Sequence, residues 1–135
     1  MLIADVLGSD LQILHTMSPS DTIGDTVDIL VEFGIGAVVV TSDGKTIDGI
    51  ISERDIVRYL QHEQEGTLRI KVEDLMTRNV ITCMPQDEAE VVTRTMLGGR
   101  FRHMPVVDAD GHMMAMVSLG DLMHARLGAQ VNAEQ

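Results

Sequence analysis

The chain has 135 residues and a mass of 14.8 kDa, which is room for one domain or for two small units sharing a core. Hydrophobic residues reach 44% with only 2% aromatic, so Val, Ile, Leu and ten Met must fill the interior, and wholesale disorder is excluded. With 21 acidic residues against 10 basic ones the formal charge is −11, which argues against nucleic acid and anionic membrane surfaces as partners.

No apolar run approaches the roughly 18 residues of a membrane span, and the N-terminus lacks the charged-then-apolar pattern of a secretory leader. The single Cys83 excludes an internal disulfide framework and points to a reducing, cytoplasmic setting.

In chain order, Ile3 to Leu7 reads as a short lead-in helix. Ile13 to Thr16 is a short strand closed by Ser18-Pro19, because the residue before proline favours extended backbone. Ile23, Val27, Leu30 and Val31 then follow at the spacing of one helix face, with Ser20 or Asp21 as the cap and Gly34 as the stop. Ala37 to Val40 is a buried strand, Asp43-Gly44 a tight turn, and Ile47 to Ile51 the returning strand. A helix runs from Glu53 through Ile56, Val57 and Leu60, and the polar stretch Gln61 to Thr67 reads as a surface linker.

The same order then recurs. Val72 to Met76 is a second lead-in helix, and Val80–Thr82 a strand. A helix near Glu88–Leu97 stops at Gly98-Gly99, and strands Met104–Val107 and Met113–Val117 flank the turn Asp110-Gly111. The last helix is Asp121–Leu127, with Ala129 to Gln135 as a frayed, flexible tail.

The recurrence has a register. Ser52 and Asp55 pair with Ser118 and Asp121 at one constant offset of sixty-six, which also pairs Val6 with Val72, Thr16 with Thr82, Pro19 with Pro85, Asp21 with Asp87 and Val40 with Val106. Two copies of one β-α-β-β-α unit follow, an α/β (α+β) fold, with the first repeat over 1–66, the second over 67–128 and the tail over 129–135. Units this small bury little surface alone, so the copies are expected to share a core around a pseudo-twofold axis, with a ligand cleft between them.

Each Ser-x-x-Asp stands where a strand hands over to a helix, and two readings stay open. As a capping box, Ser accepts an early helix N–H and Asp reaches back, with no ligand needed. As a ligand site, the free N–H groups and the hydroxyl receive a phosphate, and the carboxylate holds a ribose cis-diol. Charge favours the second reading in copy two: Arg94, Arg100, Arg102 and His103 fall in a stretch without a carboxylate, Thr93 to Val107, and Arg suits bidentate phosphate contact. Copy one offers Gly34 and Gly36 instead, with Arg54 inside its motif where copy two has Gly120.

His15, His62, His103, His112 and His124 show no metal-ligand pairing on a helix face, so no metal is expected. Cys83 reads as a buried, inert thiol. No nucleophile or metal-binding carboxylate cluster supports catalysis, so no catalytic residue is assigned and an enzyme is the remotest reading.

These segments carry a resemblance. Ile35-Gly-Ala-Val-Val-Val40, Gly49-Ile-Ile-Ser-Glu-Arg-Asp-Ile-Val57, Met76-Thr-Arg-Asn-Val-Ile-Thr-Cys83, Phe101-Arg-His-Met-Pro-Val-Val-Asp108 and Val117-Ser-Leu-Gly-Asp121 resemble tandem cystathionine-β-synthase (CBS) domains, the Bateman module, and within that family the stand-alone pairs. The resemblance covers residues 3–127. It implies a regulatory pair that binds AMP, ADP, ATP, NAD or S-adenosylmethionine between the copies, has no catalytic cofactor, and associates into a disc-like homodimer that signals through the dimer or an effector protein in trans. It places a stronger site on Thr82, Arg102, His103, Met104, Ser118 and Asp121 with Arg54, and a weaker one on Thr16, Ile35, Gly36, Ala37, Val38, Ser52 and Asp55. In it, Asp55 and Asp121 hold ribose and Ser52 and Ser118 face phosphate. The alternative is a constitutive dimerisation scaffold whose motifs are only caps.

Overall fold

A computed structural model describes residues 1–8, 14–63 and 65–134, the last six of these as backbone alone. The chain divides into two compact units: a central one, His15–Val80, and a flanking one built from Met1–Leu14 together with Ile81–Gln135.

The central unit opens with β1 (Thr16–Met17), shorter than expected; Ile13 lies outside the described residues. Helix α2 (Ile23–Phe33), strands β2 (Ala37–Val40) and β3 (Gly49–Ser52), and helix α3 (Glu53–His62) follow. Strand β1 lies parallel to β2, and β2 antiparallel to β3. Neither Ser20 nor Asp21 caps α2. Asp21 instead accepts the Ser18 N–H at 2.9 Å, and Thr22 forms the capping box with Asp25. Gly34 ends the helix in left-handed geometry at φ 61, as expected.

The apolar faces of these helices differ from the expected ones. Ile23, Leu30 and Ile56 are buried, but Val31 is 77% exposed and Val57 65%. Thr26 takes the inward place on α2, where its hydroxyl donates to Met17 Sδ at 3.2 Å and to the Thr22 carbonyl at 3.2 Å. Helix α4 (Val72–Leu75) begins after a 3₁₀ turn, Thr67–Arg69; the described residues of the expected linker are exposed up to Gly66, and only Thr67 is buried. Strand β3 also pairs with the chain just after α4, through Ile50 N–H to the Thr77 carbonyl and the reciprocal bond. That approach requires Gly49: a Cβ there would stand 2.6 Å from Met76 Sδ and 2.9 Å from the Thr77 carbonyl oxygen.

The flanking unit holds α1 (Ile3–Leu7), α5 (Ala89–Gly99), β4 (His103–Val107), β5 (Met113–Ser118) and α6 (Leu119–Glu134). Val80–Thr82 is not a strand. One parallel bridge, Cys83 to Val106, stands where the central unit has β1. The α6 backbone runs as helix to Glu134, through most of the expected tail 129–135, whose last residue lies outside the described residues. Gly98 and Gly99 do not stop α5. They lie inside it, and Phe101 occupies the space a Cβ on Gly99 would need. The stop is Arg100, at φ 58 and ψ 40, the single non-glycine with positive φ among the described residues. A side chain in that region costs on the order of 1 kcal/mol more than glycine.

Sequence repeat and compact unit do not coincide. In the central unit Ile23 N–H donates to the Ile70 carbonyl, Val72 to Asp21 and Glu73 to Pro19, which docks α4 against the start of α2. In the flanking unit Ala89 donates to Met1, Ile3 to Asp87 and Ala4 to Pro85, docking α1 in the same way. The lead-in helix written before copy one therefore completes copy two, and the one before copy two completes copy one. Ile3 and Val72, both fully buried, are the equivalent residues. The Val6–Val72 identity is incidental to the repeat.

Each unit has its own apolar core. Met17, Ile23, Val38, Ile51 and Val72 anchor the central one, and Ile3, Met96, Met104, Val106 and Val117 the flanking one. The methionines divide: Met17, Met76, Met96 and Met104 are buried as filler, whereas Met114 and Met123 are about half exposed.

Candidate ligand site

The offset of sixty-six holds at the level of backbone hydrogen bonds. In the central unit Ala37 pairs with Ser52, and Glu53 N–H donates to the Gly36 carbonyl at 3.0 Å. In the flanking unit His103 pairs with Ser118, and Leu119 N–H donates to the Arg102 carbonyl at 2.8 Å. The loop before the middle strand is thus fastened to the Ser-x-x-Asp turn in both units, by the same bond.

Both motifs form complete capping boxes. Ser52 N–H and Oγ each donate to Asp55 Oδ2 at 2.9 Å, and Asp55 N–H returns to Ser52 Oγ at 3.3 Å. Ser118 N–H donates to Asp121 Oδ2 at 2.9 Å, and Asp121 N–H to Ser118 Oγ at 3.0 Å. Every one of these carboxylate bonds ends on Oδ2, so Oδ1 of each Asp takes no part in the cap. Asp121 is exposed, and Asp55 half-buried. Structural cap and ligand acceptor are therefore compatible roles for one side chain.

The sequence-expected residues fall into two sets, one per unit. Thr16, Ile35, Gly36, Ala37, Val38, Ser52 and Asp55 all lie in the central unit, with Thr16 opposite Val39 across the β1–β2 ladder and Val38 fully buried. Thr82, Arg102, His103, Met104, Ser118 and Asp121 all lie in the flanking unit. Arg54, assigned with them from the resemblance, belongs to the central unit, on the first turn of α3. Thr82 and the buried Met104 line a cavity of about 450 Å³, beside Asp87, Glu88, Val91 and Thr95. Neither this cavity nor the cap role of Arg100 is legible in the sequence, although Arg100 stands in the cationic stretch.

Helix-face spacing also missed one cluster. Asp108, Asp110 and His112 bring ligand atoms within 4.8 Å of one another. Asp108 Oδ1 accepts the Asp110 and His112 N–H groups at 2.9 Å each, the bonds that hold the β4–β5 turn. In the central unit Asp43 does this work, accepting the Lys45 and Thr46 N–H groups and the Thr46 hydroxyl, and these bonds hold its carboxyl well below the usual range. Cys83 is buried as expected, and burial first, then the Asp87 carboxylate, push its thiol up to about 11. Among the described residues no helix is long and apolar enough to cross a membrane.

Comparison with known proteins agrees with this construction. The family model for the CBS domain matches residues 5–62 and again 72–128. A mitochondrial CBS domain-containing protein of Arabidopsis thaliana, CBSX3, is 35% identical over 109 residues, 78% of this chain, and the chain spans about half that relative's length, 52%. The crystal structure of the CBS-domain containing protein ATU1752 from Agrobacterium tumefaciens is similar with a TM-score of 0.88 and 33% identity, covering 93% of this chain and 99% of that one. The structure of CBSX2 from Arabidopsis thaliana in complex with AMP is similar with a TM-score of 0.80 and 29% identity, covering 96% and 98%. With two family matches on two units that repeat one hydrogen-bond pattern, the chain belongs to the CBS-domain family and carries a tandem pair of CBS repeats.

Proposed function

We propose that the chain is a regulatory, non-catalytic module that binds an adenosyl ligand (AMP, ADP, ATP, NAD or S-adenosylmethionine) and signals through a homodimer or an effector protein in trans. The observation that carries this reading is the division of labour in Asp55 and Asp121: Oδ2 holds the helix cap, and Oδ1 is left for a ribose hydroxyl. In the flanking unit Ser118, Arg102 and His103 then supply phosphate contacts, with Thr82 and Met104 beside the adenine and Arg54 reaching toward the phosphates. In the central unit Ser52, Thr16 and the segment Ile35–Val38 take the corresponding places, with less charge. The AMP complex of the similar CBSX2 supports an adenosyl ligand. The one thiol, buried at Cys83, suits a reducing, cytoplasmic setting.

A scaffold without ligand is the second reading, and one observation favours it. Val31 and Val57 are exposed on the central unit, and Leu97 and Met123 are exposed at the equivalent places on the flanking unit. That repeated apolar pattern suits a second copy of the chain, as a dimerisation scaffold requires.

Thermal unfolding with each of the five ligands separates them. A ligand at a hundredfold excess over its Kd adds about 2.7 kcal/mol, on the order of ten degrees here. The Asp121→Ala variant, about 1 kcal/mol less stable from the lost cap, should lose that shift at the flanking site. No shift with any ligand, no nucleotide released on denaturation and a dimeric mass by light scattering would leave the scaffold.

A further inference from the structure

The two units build one backbone pattern and load it with different charge. Gly34-Ile35-Gly36-Ala37 in the central unit and Arg100-Phe101-Arg102-His103 in the flanking unit are equivalent residue by residue. Gly34 and Arg100 each end a helix in left-handed geometry, at φ 61 and 58. Ile35 N–H donates to the Leu30 carbonyl and Phe101 N–H to the Met96 carbonyl, both at 3.1 Å. Gly36 and Arg102 each accept the first N–H after the motif serine. The central segment carries no charge; the flanking one carries two guanidinium groups and an imidazole.

Arg100 is the informative member. The backbone there favours glycine, which copy one has, and a positive charge near a helix C-terminus could stand earlier in the last turn without strain, at the exposed Leu97 for example. A strained non-glycine residue beside a candidate ligand site points from the outlier to a function. The segment is fastened to the Ser118–Asp121 turn through the Arg102 carbonyl, which keeps Arg100 within the same short loop. Phe101 packs into the core between the two arginines and fixes that loop.

We propose that Arg100, with Arg102, makes the flanking-unit site select phosphorylated adenosyl ligands, while the central-unit site, uncharged at the equivalent positions, binds through the nucleoside and does not depend on phosphate. Arg100 is then a ligand-binding, specificity-determining residue that accepts backbone strain in order to present its guanidinium to a phosphate. This inference rests on the adenosyl-binding reading above.

The test is calorimetric titration of wild type, Arg100→Gly and Arg100→Asn with ATP and with adenosine. Glycine copies the central unit, and asparagine tolerates left-handed backbone, so both variants keep the cap. Arg100→Gly should unfold at a higher temperature than wild type without ligand. Both variants should weaken ATP at one site by about tenfold or more and leave adenosine within about twofold. An unchanged ratio of ATP to adenosine affinity in both variants would overturn the proposal and leave the adenosyl reading intact. Wild type that binds neither compound would overturn the proposal, and the five-ligand thermal test then decides whether the adenosyl reading falls with it.

Discussion

The central and flanking units differ most in the charge of one short loop, Gly34–Ala37 against Arg100–His103. Loop fastening, the Ser-x-x-Asp caps and the four β2–β3 pairs recur in the flanking unit, because each satisfies backbone groups that would otherwise be buried without partners, whereas α2 has the Thr22 capping box and α5 starts at Glu88 with no side-chain cap bond. The loop ends differ in charge, with Gly34, Gly36 and Ala37 at the positions equivalent to Arg100, Arg102 and His103. Packing diverges between these extremes: Met17, in a short strand, is replaced by Cys83, which makes one bridge. Duplicated scaffolds therefore hold their geometry through hydrogen bonds and are free to vary in charge.

The strongest way to break this comparison is to cut the exchange of lead-in helices. Ile3 and Val72 fill the same place in opposite units, and both are fully buried. Ile3→Ala should cost about 3 kcal/mol, within the range for emptying a core site. Its hydrogen-exchange protection should fall first in β4 and β5, far away in sequence, whereas Val72→Ala should expose β2 and β3. Ile3→Ala acting first on β2 and β3 would return α1 to copy one.

A smaller effect sharpens the same contrast. Gly49 and Ala115 are equivalent positions in β3 and β5, yet only Gly49 is crossed closely by the chain after α4. Gly49→Ala should cost about 2 kcal/mol, because the neighbours include the Thr77 backbone, which yields less readily than a side chain. Ala115→Gly removes one buried methyl and should cost about 1 kcal/mol. Urea melts of the two variants measure both. Equal costs would mean that the approach to Gly49 carries no selection.

Much of this was legible beforehand. The Ser-x-x-Asp pairs, the strands flanking Asp43-Gly44 and Asp110-Gly111, and the Gly34 stop all depend on local chemistry, and local chemistry is visible in a short window. The exchange of α1 and α4 was not, because a short helix shows that it has an apolar side without showing which surface covers it. Val31 and Val57 misled for a related reason: helical periodicity gives a stripe, but Thr26 reached Met17 with a hydrogen bond and shifted the buried edge of α2. Gly98-Gly99 read as a helix stop, whereas Gly99 makes room for Phe101 and the stop fell on Arg100. The residues expected at each site, Arg54 apart, fall within one unit each because the register of the repeat carried them there.

The smallest effect concerns Cys83 and Met17, equivalent sulfur positions of which only one can ionise. Burial raises the Cys83 thiol from its ordinary 9.0 to about 11. Between those values the unfolded chain has lost its proton and the folded chain still holds it, so stability is fully present below pH 9 and is lost as pH rises toward 11. At pH 10 the loss should be about 1 kcal/mol relative to neutral pH. Other groups titrate there too, so the informative quantity is the difference between the chain and Cys83→Val, which keeps the apolar volume and removes the thiol. That variant should hold about 1 kcal/mol more of its neutral-pH stability at pH 10, measured by urea melts at both pH values. A Cys83→Val slope equal to that of the unaltered chain would mean that the thiol meets solvent in the folded unit. The single bridge at Cys83 would then close the flanking sheet less tightly than β1 closes the central one.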